Sequence, residues 1–131
     1  MDTDELHQRG LALRKEMLGE QAVDARIQAM GEFGAPLQHI INAYVYGDLW
    51  SRGKLGGRER SIAMVAMIAA MNRSAELKVH LRGALANGCT PDEIREVLLL
   101  VTLYCGIPTG NDAHRAAIEV LDEAQATGHK A

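Results

Sequence analysis

Glu76 and His80 stand four residues apart in the stretch RSAELKVH, residues 73–80. On a helix this spacing stacks a carboxylate and an imidazole on one face. A carboxylate can hold the ring in one tautomer and favour its protonated form, and such a histidine is a good proton donor near neutral pH. The same spacing also fits a solvated surface pair, worth about 0.2–0.5 kcal/mol, or a satisfied core pair. The pattern alone leaves all three readings open. Arginines are the second feature: Arg52, Arg58, Arg60, Arg73 and Arg82. Guanidinium forks match carboxylates, and Arg58 and Arg60 open a predicted helix whose free N–H groups also suit an anion. Arg73 precedes the next helix, near Glu76. The set fits either a dicarboxylate ligand or an ordinary solvated surface.

Other chemistries find no support. His7, His39, His114 and His129 are scattered, and His39 lies mid-helix near Asn42 and Tyr46. H-x-x-x-H and H-E-x-x-H are absent, so no metal site is expected. No dinucleotide, Walker or nucleophile-elbow motif occurs. Cys89 and Cys105 are 16 residues apart with no C-x-x-C, which argues against a dithiol redox motif and a zinc knuckle. A cytosolic protein would keep both reduced.

Only helices are legible as the elements that position these groups. Residues 4–18 form a charged first helix and 22–31 a second, with FGAP (33–36) breaking the pattern. A helix over 37–50 puts Leu37, Ile40, Ile41, Tyr44, Val45 and Leu49 on one face. After the glycine-containing loop 51–57, helices are expected over 58–71 and 75–87, the latter with Ser74 as a possible N-cap and Gly88 as its stop. TPDE (90–93) supplies a cap, a first-turn proline and a capping-box glutamate. Its helix runs to Tyr104 or Cys105, Gly106 and Pro108 end it, and the last helix covers 110–126.

The chain has 131 residues, 47% hydrophobic and 24% charged, with net charge −3, which fits one soluble globular domain. No concentrated basic face suggests nucleic acid, and no apolar leader opens the chain, so the cytoplasm is the expected location. SIAMVAMIAAM (61–71) and VLLLVTLYCGI (97–107) are 11 residues each, whereas a membrane span needs about 20. Both runs are apolar nearly all round and must be covered on every side. A chain this short cannot easily cover both, so association of subunits through helical faces is expected.

Residues 44–121 resemble the carboxymuconolactone decarboxylase family. The resemblance rests on Gly47, Trp50 and Arg52; Arg58-x-Arg60-Ser61; Glu76-x-x-x-His80-Leu81-Arg82; Gly88-x-Thr90-Pro91-x-Glu93; and Tyr104-Cys105-Gly106-x-Pro108. It implies an all-α fold of alkylhydroperoxidase D-like type with about six helices, in one domain over 1–131 (an N-terminal helical extension over 1–35 and a core over 36–127). It also implies a homo-oligomer, a hexamer or trimer. The implied reaction is cofactor-free decarboxylation of 4-carboxymuconolactone, a carboxylated lactone, to the enol lactone of 3-oxoadipate in protocatechuate catabolism, the beta-ketoadipate pathway. The resemblance implies no metal or organic cofactor, and from charge and run length neither nucleic acid nor membrane is expected as a partner.

In that frame His80 is the candidate general acid or oxyanion donor, Glu76 its orienting partner, and Arg58, Arg73 and Trp50 the substrate-binding candidates. Redox relatives carry C-x-x-C-x-x-x-H and an upstream glutamate; those cysteines fall on Arg73 and Glu76, and the glutamate on Ser61. Thiol peroxidase chemistry needs the thiolates and is not expected. Gly56–Gly57, in place of polar residues before Arg58, and His114, in an aromatic place, depart from the family pattern. Alternatives are a related lyase or isomerase acting on another unsaturated lactone or enolisable acid, and a non-catalytic oligomer that binds a small acid.

Overall fold

The computed structural model describes residues 2–127, and among them it contains only helices, turns and loops. His129 lies outside the described residues. Six α-helices follow in order: α1 (Thr3–Leu18), α2 (Glu20–Ile40), α3 (Gly57–Ala70), α4 (Ser74–Ala86), α5 (Pro91–Cys105) and α6 (Ile107–Ala126), with a π-helical segment (Ile41–Leu49) continuing α2. The chain divides into two compact units, Met1–Leu55 and Gly56–Ala131. The expected boundary between extension and core, at 35/36, falls inside α2.

In the N-terminal unit, Asp2 caps α1 by accepting the Glu5 N–H at 2.8 Å. The break expected at FGAP is displaced. Helix geometry fails at Gly31 instead (φ 59°, ψ −157°), a conformation that glycine reaches without a Cβ penalty. Residues 33–36 are helical, with Pro36 inside the helix five residues after the break at Gly31.

The helix expected over 37–50 is also altered. From Ile41 it widens into a π-helix, and its apolar face points outward: Leu37, Ile40, Tyr44 and Leu49 are each about half exposed. The buried residues are Gln38, Asn42, Ala43, Tyr46 and Gly47. α1 packs along this segment with Gly10 against the Asn42 carbonyl and Gly47 against that of Leu6. No side chain could sit between the two backbones at such an approach.

The C-terminal unit is built from α3 to α6 around Val65, Ala69, Leu77, Leu81, Leu98, Val101 and Val120. Helix ends follow local chemistry. Thr90 Oγ1 accepts the Glu93 N–H at 3.1 Å, and Glu93 Oε1 accepts the Thr90 N–H at 2.9 Å, which completes the expected capping box. Gly88 follows the end of α4 with positive φ, as expected. Two ends differ. Arg73, not Ser74, is the N-cap of α4, and no side chain caps that end. The last helix starts at Ile107 rather than 110, because Pro108 fits a first turn.

Each apolar run buries only one side within this chain. Val65 and Ala69 are buried while Met67 and Met71 are exposed, and Leu98 and Val101 are buried while Leu103 and Tyr104 are about four-fifths exposed. No helix among the described residues is long and apolar enough to cross a membrane.

Candidate active site

The candidate acid–base pair stands on α4. That helix buries Leu77, Leu81 and Ala84, and Glu76 and His80 each precede one of the leucines, so they flank the buried stripe. They lie one turn apart, about 6 Å along the axis. Glu76 is exposed and His80 half-buried. An imidazole at this depth can meet substrate on one side and apolar core on the other. Arg73 is exposed at the N-cap, where its carbonyl accepts the Leu77 N–H at 2.8 Å. Arg73 therefore stands at the end of α4 that carries Glu76, at the positive pole of the helix.

Arg58 is placed elsewhere. Its guanidinium pairs with Glu93 of the α5 capping box and lies 3.9 Å from Glu59. Asn87, just past α4, donates to Ser61 Oγ at 3.0 Å and to the Gly57 carbonyl at 3.5 Å. The Cys89 thiol donates to the Arg58 carbonyl at 3.7 Å. These bonds set the start of α3 level with the end of α4. Asn87 is seven residues past His80, about 10 Å along the axis. Within one chain, then, Arg58 and the Glu76–His80 pair occupy opposite halves of the α3–α4 hairpin. Trp50 belongs to the N-terminal unit, where it ends the π-helix half-buried and stacks on Tyr46 with centroids 6.1 Å apart.

Ser61 stands where redox relatives carry a glutamate, and neither cysteine of this chain falls on a position of their motif. Ser61 is buried and bonded to Asn87. Cys89 is buried, and that burial pushes its thiol pKa up despite the nearby Arg58 charge, so it is a poor nucleophile. Cys105 is exposed and free. His114 turns its Nδ1 to the Gly110 carbonyl at 2.8 Å, within its own helix. Among the described residues no three metal-ligating side chains converge.

Two polar groupings escaped the sequence reading. Arg82 makes a bidentate pair with Glu123 at 2.7 and 3.1 Å, and this hydrogen bonding holds the Glu123 carboxyl below its ordinary pKa. Nothing local predicts a partner 41 residues away. In the N-terminal unit the buried Arg14 donates to Gln38 at 2.8 Å and to Asn42 at 3.0 Å. The available signal was the i, i+4 spacing of Gln38 and Asn42, which puts two amides on one face.

An all-helical chain with a glutamate and a half-buried histidine on one helix face is a class of architecture, and the comparisons give it a family. The profile of the Carboxymuconolactone decarboxylase family matches residues 35–119. The chain is 35% identical over 123 residues to the 4-carboxymuconolactone decarboxylase of Acinetobacter baylyi, covering 94% of this chain and 92% of that protein. It is 36% identical over 110 residues to the nitrosuccinic acid decarboxylase of Metarhizium robertsii, covering 81% of this chain and 77% of that one. The chain belongs to the carboxymuconolactone decarboxylase family, and it is an enzyme of the carboxy-lyase type.

Proposed function

We propose that the enzyme decarboxylates 4-carboxymuconolactone to the enol lactone of 3-oxoadipate, without metal or organic cofactor, in cytoplasmic catabolism of protocatechuate. The observation that carries this reading is the near full-length similarity to a relative of that activity. The placement of Glu76 and His80 supports it chemically. The C–C bond to the departing carboxylate breaks, and its electron pair moves through the ring C=C to the lactone carbonyl. Negative charge builds on the lactone oxygen, where a positioned donor stabilises it. His80 then delivers a proton to a ring carbon and is reprotonated from water. Glu76, one turn away on the same helix face, orients the imidazole.

Arg73, at the same end of α4, is the better-placed arginine for the spectator carboxylate, and remote binding of that kind helps lower the barrier. Arg58 and Trp50 remain binding candidates. Arg58 must share its guanidinium with Glu93 to act. The outward apolar side chains Leu99, Leu103, Tyr104 and Ile107 support assembly into a homo-oligomer, a hexamer or trimer, which light scattering on the purified protein tests.

A second reading has its own support in the fungal relative. In nitrosuccinic acid a nitro group replaces the lactone carbonyl as the acceptor of the released electron pair, and the same proton donor serves. Release of CO₂ from the two acids, measured side by side, separates the readings. Turnover of 4-carboxymuconolactone with a loss of about 100-fold or more in His80→Ala supports the first. Turnover of nitrosuccinate alone replaces it with the second, and an unaffected rate in His80→Ala removes His80 from the mechanism.

A further inference from the structure

The decarboxylation chemistry makes no use of a buried cation in the N-terminal unit. Arg14 is only 3% exposed, its partners are the neutral amides Gln38 and Asn42, and it lies over the Tyr46 ring at 5.8 Å. No carboxylate among the described residues pairs with it, and its Nε is buried without a hydrogen-bond partner. A buried charge is costly unless a counter-charge accompanies it. Two amide oxygens solvate the guanidinium but do not neutralise it.

Those two amides also border a cavity of about 530 Å³, a volume within the range of small-molecule sites. Both turn their carbonyl oxygens to Arg14, so their NH₂ donors face away from it. Leu11, Ile27 and Pro36 supply an apolar wall. His7 and His39 also line the space, with rings stacked 4.9 Å apart at 14°, and His7 Nδ1 is buried without a partner. No acidic side chain lines the cavity. The lining is therefore almost wholly apolar, with the amides of Gln38 and Asn42 at one edge and the buried Arg14 charge behind them.

We propose that this cavity binds a small monocarboxylate with an apolar body, its carboxylate against Gln38 and Asn42 and its charge balancing Arg14. Every residue involved lies between His7 and Tyr46, so the proposal stands independently of which acid the enzyme decarboxylates.

Benzoate is the probe, benzamide its uncharged counterpart, and the full-length protein the receptor. Titration calorimetry should give saturable benzoate binding with a Kd of about 1 mM or tighter, and benzamide binding about tenfold weaker or worse. The His7 and His39 ring proton resonances should shift on titration. Gln38→Glu keeps the acceptor for Arg14 and supplies the missing negative charge. It should lower benzoate affinity by about tenfold or more without lowering the melting temperature. If that variant does not fold, Asn42→Asp introduces the same charge and carries the same expectation. His80→Ala should bind benzoate as the parent does. Absence of saturable binding, equal affinity for benzamide, undiminished benzoate binding in the charge-supplying variant, or loss of binding in His80→Ala each overturns the proposal.

Discussion

Replacing Gly10 with alanine sets two effects of opposite sign against each other. Gly10 lies inside α1, and alanine in a helix interior is favoured over glycine by about 1 kcal/mol. Propensity alone therefore predicts a more stable protein. The added Cβ, however, would stand 1.5 Å from the Asn42 carbonyl oxygen and 2.6 Å from the Gly47 nitrogen. Both are backbone atoms, so no rotamer change relieves the contact. α1 would have to withdraw from the π-helix by about 2 Å to restore van der Waals separation. Overpacking costs about 1–3 kcal/mol where neighbours can adjust, and rigid backbone on the other side places this case at the upper end. Subtracting the propensity gain leaves a net loss of about 2 kcal/mol. Urea unfolding measures it as a lower midpoint at similar slope. Gly53→Ala is the control, since nothing lies within 4 Å of its added Cβ, and it should be near neutral. If Gly10→Ala proves as stable as the parent, the close approach of α1 to the π-helix is refuted.

Glu93→Gln keeps an oxygen for the Thr90 N–H but removes the charge that holds Arg58; if Arg58 binds a substrate carboxylate, KM for an anionic substrate should fall, and an unchanged KM takes Arg58 out of that role. Glu123→Gln should cost less than about 1 kcal/mol near neutral pH, because the pair is solvent-exposed. The folded carboxyl has a pKa below its unfolded value, so this contribution is complete above the unfolded pKa and fades as pH falls through the folded one; a difference between parent and variant that persists in acid contradicts the pairing. Iodoacetamide should leave Cys89 unmodified in the folded protein and alkylate it after denaturation, since burial both hides the thiol and raises its pKa; rapid alkylation in the folded state would contradict that burial.

The division between local and non-local information is visible in particular residues. TPDE could be read because its bonds join residues three apart, and the C-terminal end of α4 and both ends of α5 follow from a cap and glycines within a turn. Glu76 and His80 share a face for the same reason: α-helical geometry fixes it once α4 forms. The position of Arg58 could not be read, because its partner Glu93 belongs to another helix and a charge next to a motif does not say which end of a hairpin it serves.

The apolar period over 37–49 was correct as a period and silent as to direction. A helix with one apolar and one amide-bearing face can turn either inward, and what decides is the surface opposite. Here α1 brings Arg14 to Gln38 and Asn42 and lets two backbones touch at Gly10 and Gly47. The polar face is buried as a result, and the apolar one is left outside. The sequence by itself determined the helices, most of their ends and the family. Only the tertiary structure decided which faces are buried, where Arg58 stands, and that a buried arginine faces neutral amides, because each of these depends on contacts between residues far apart in the chain.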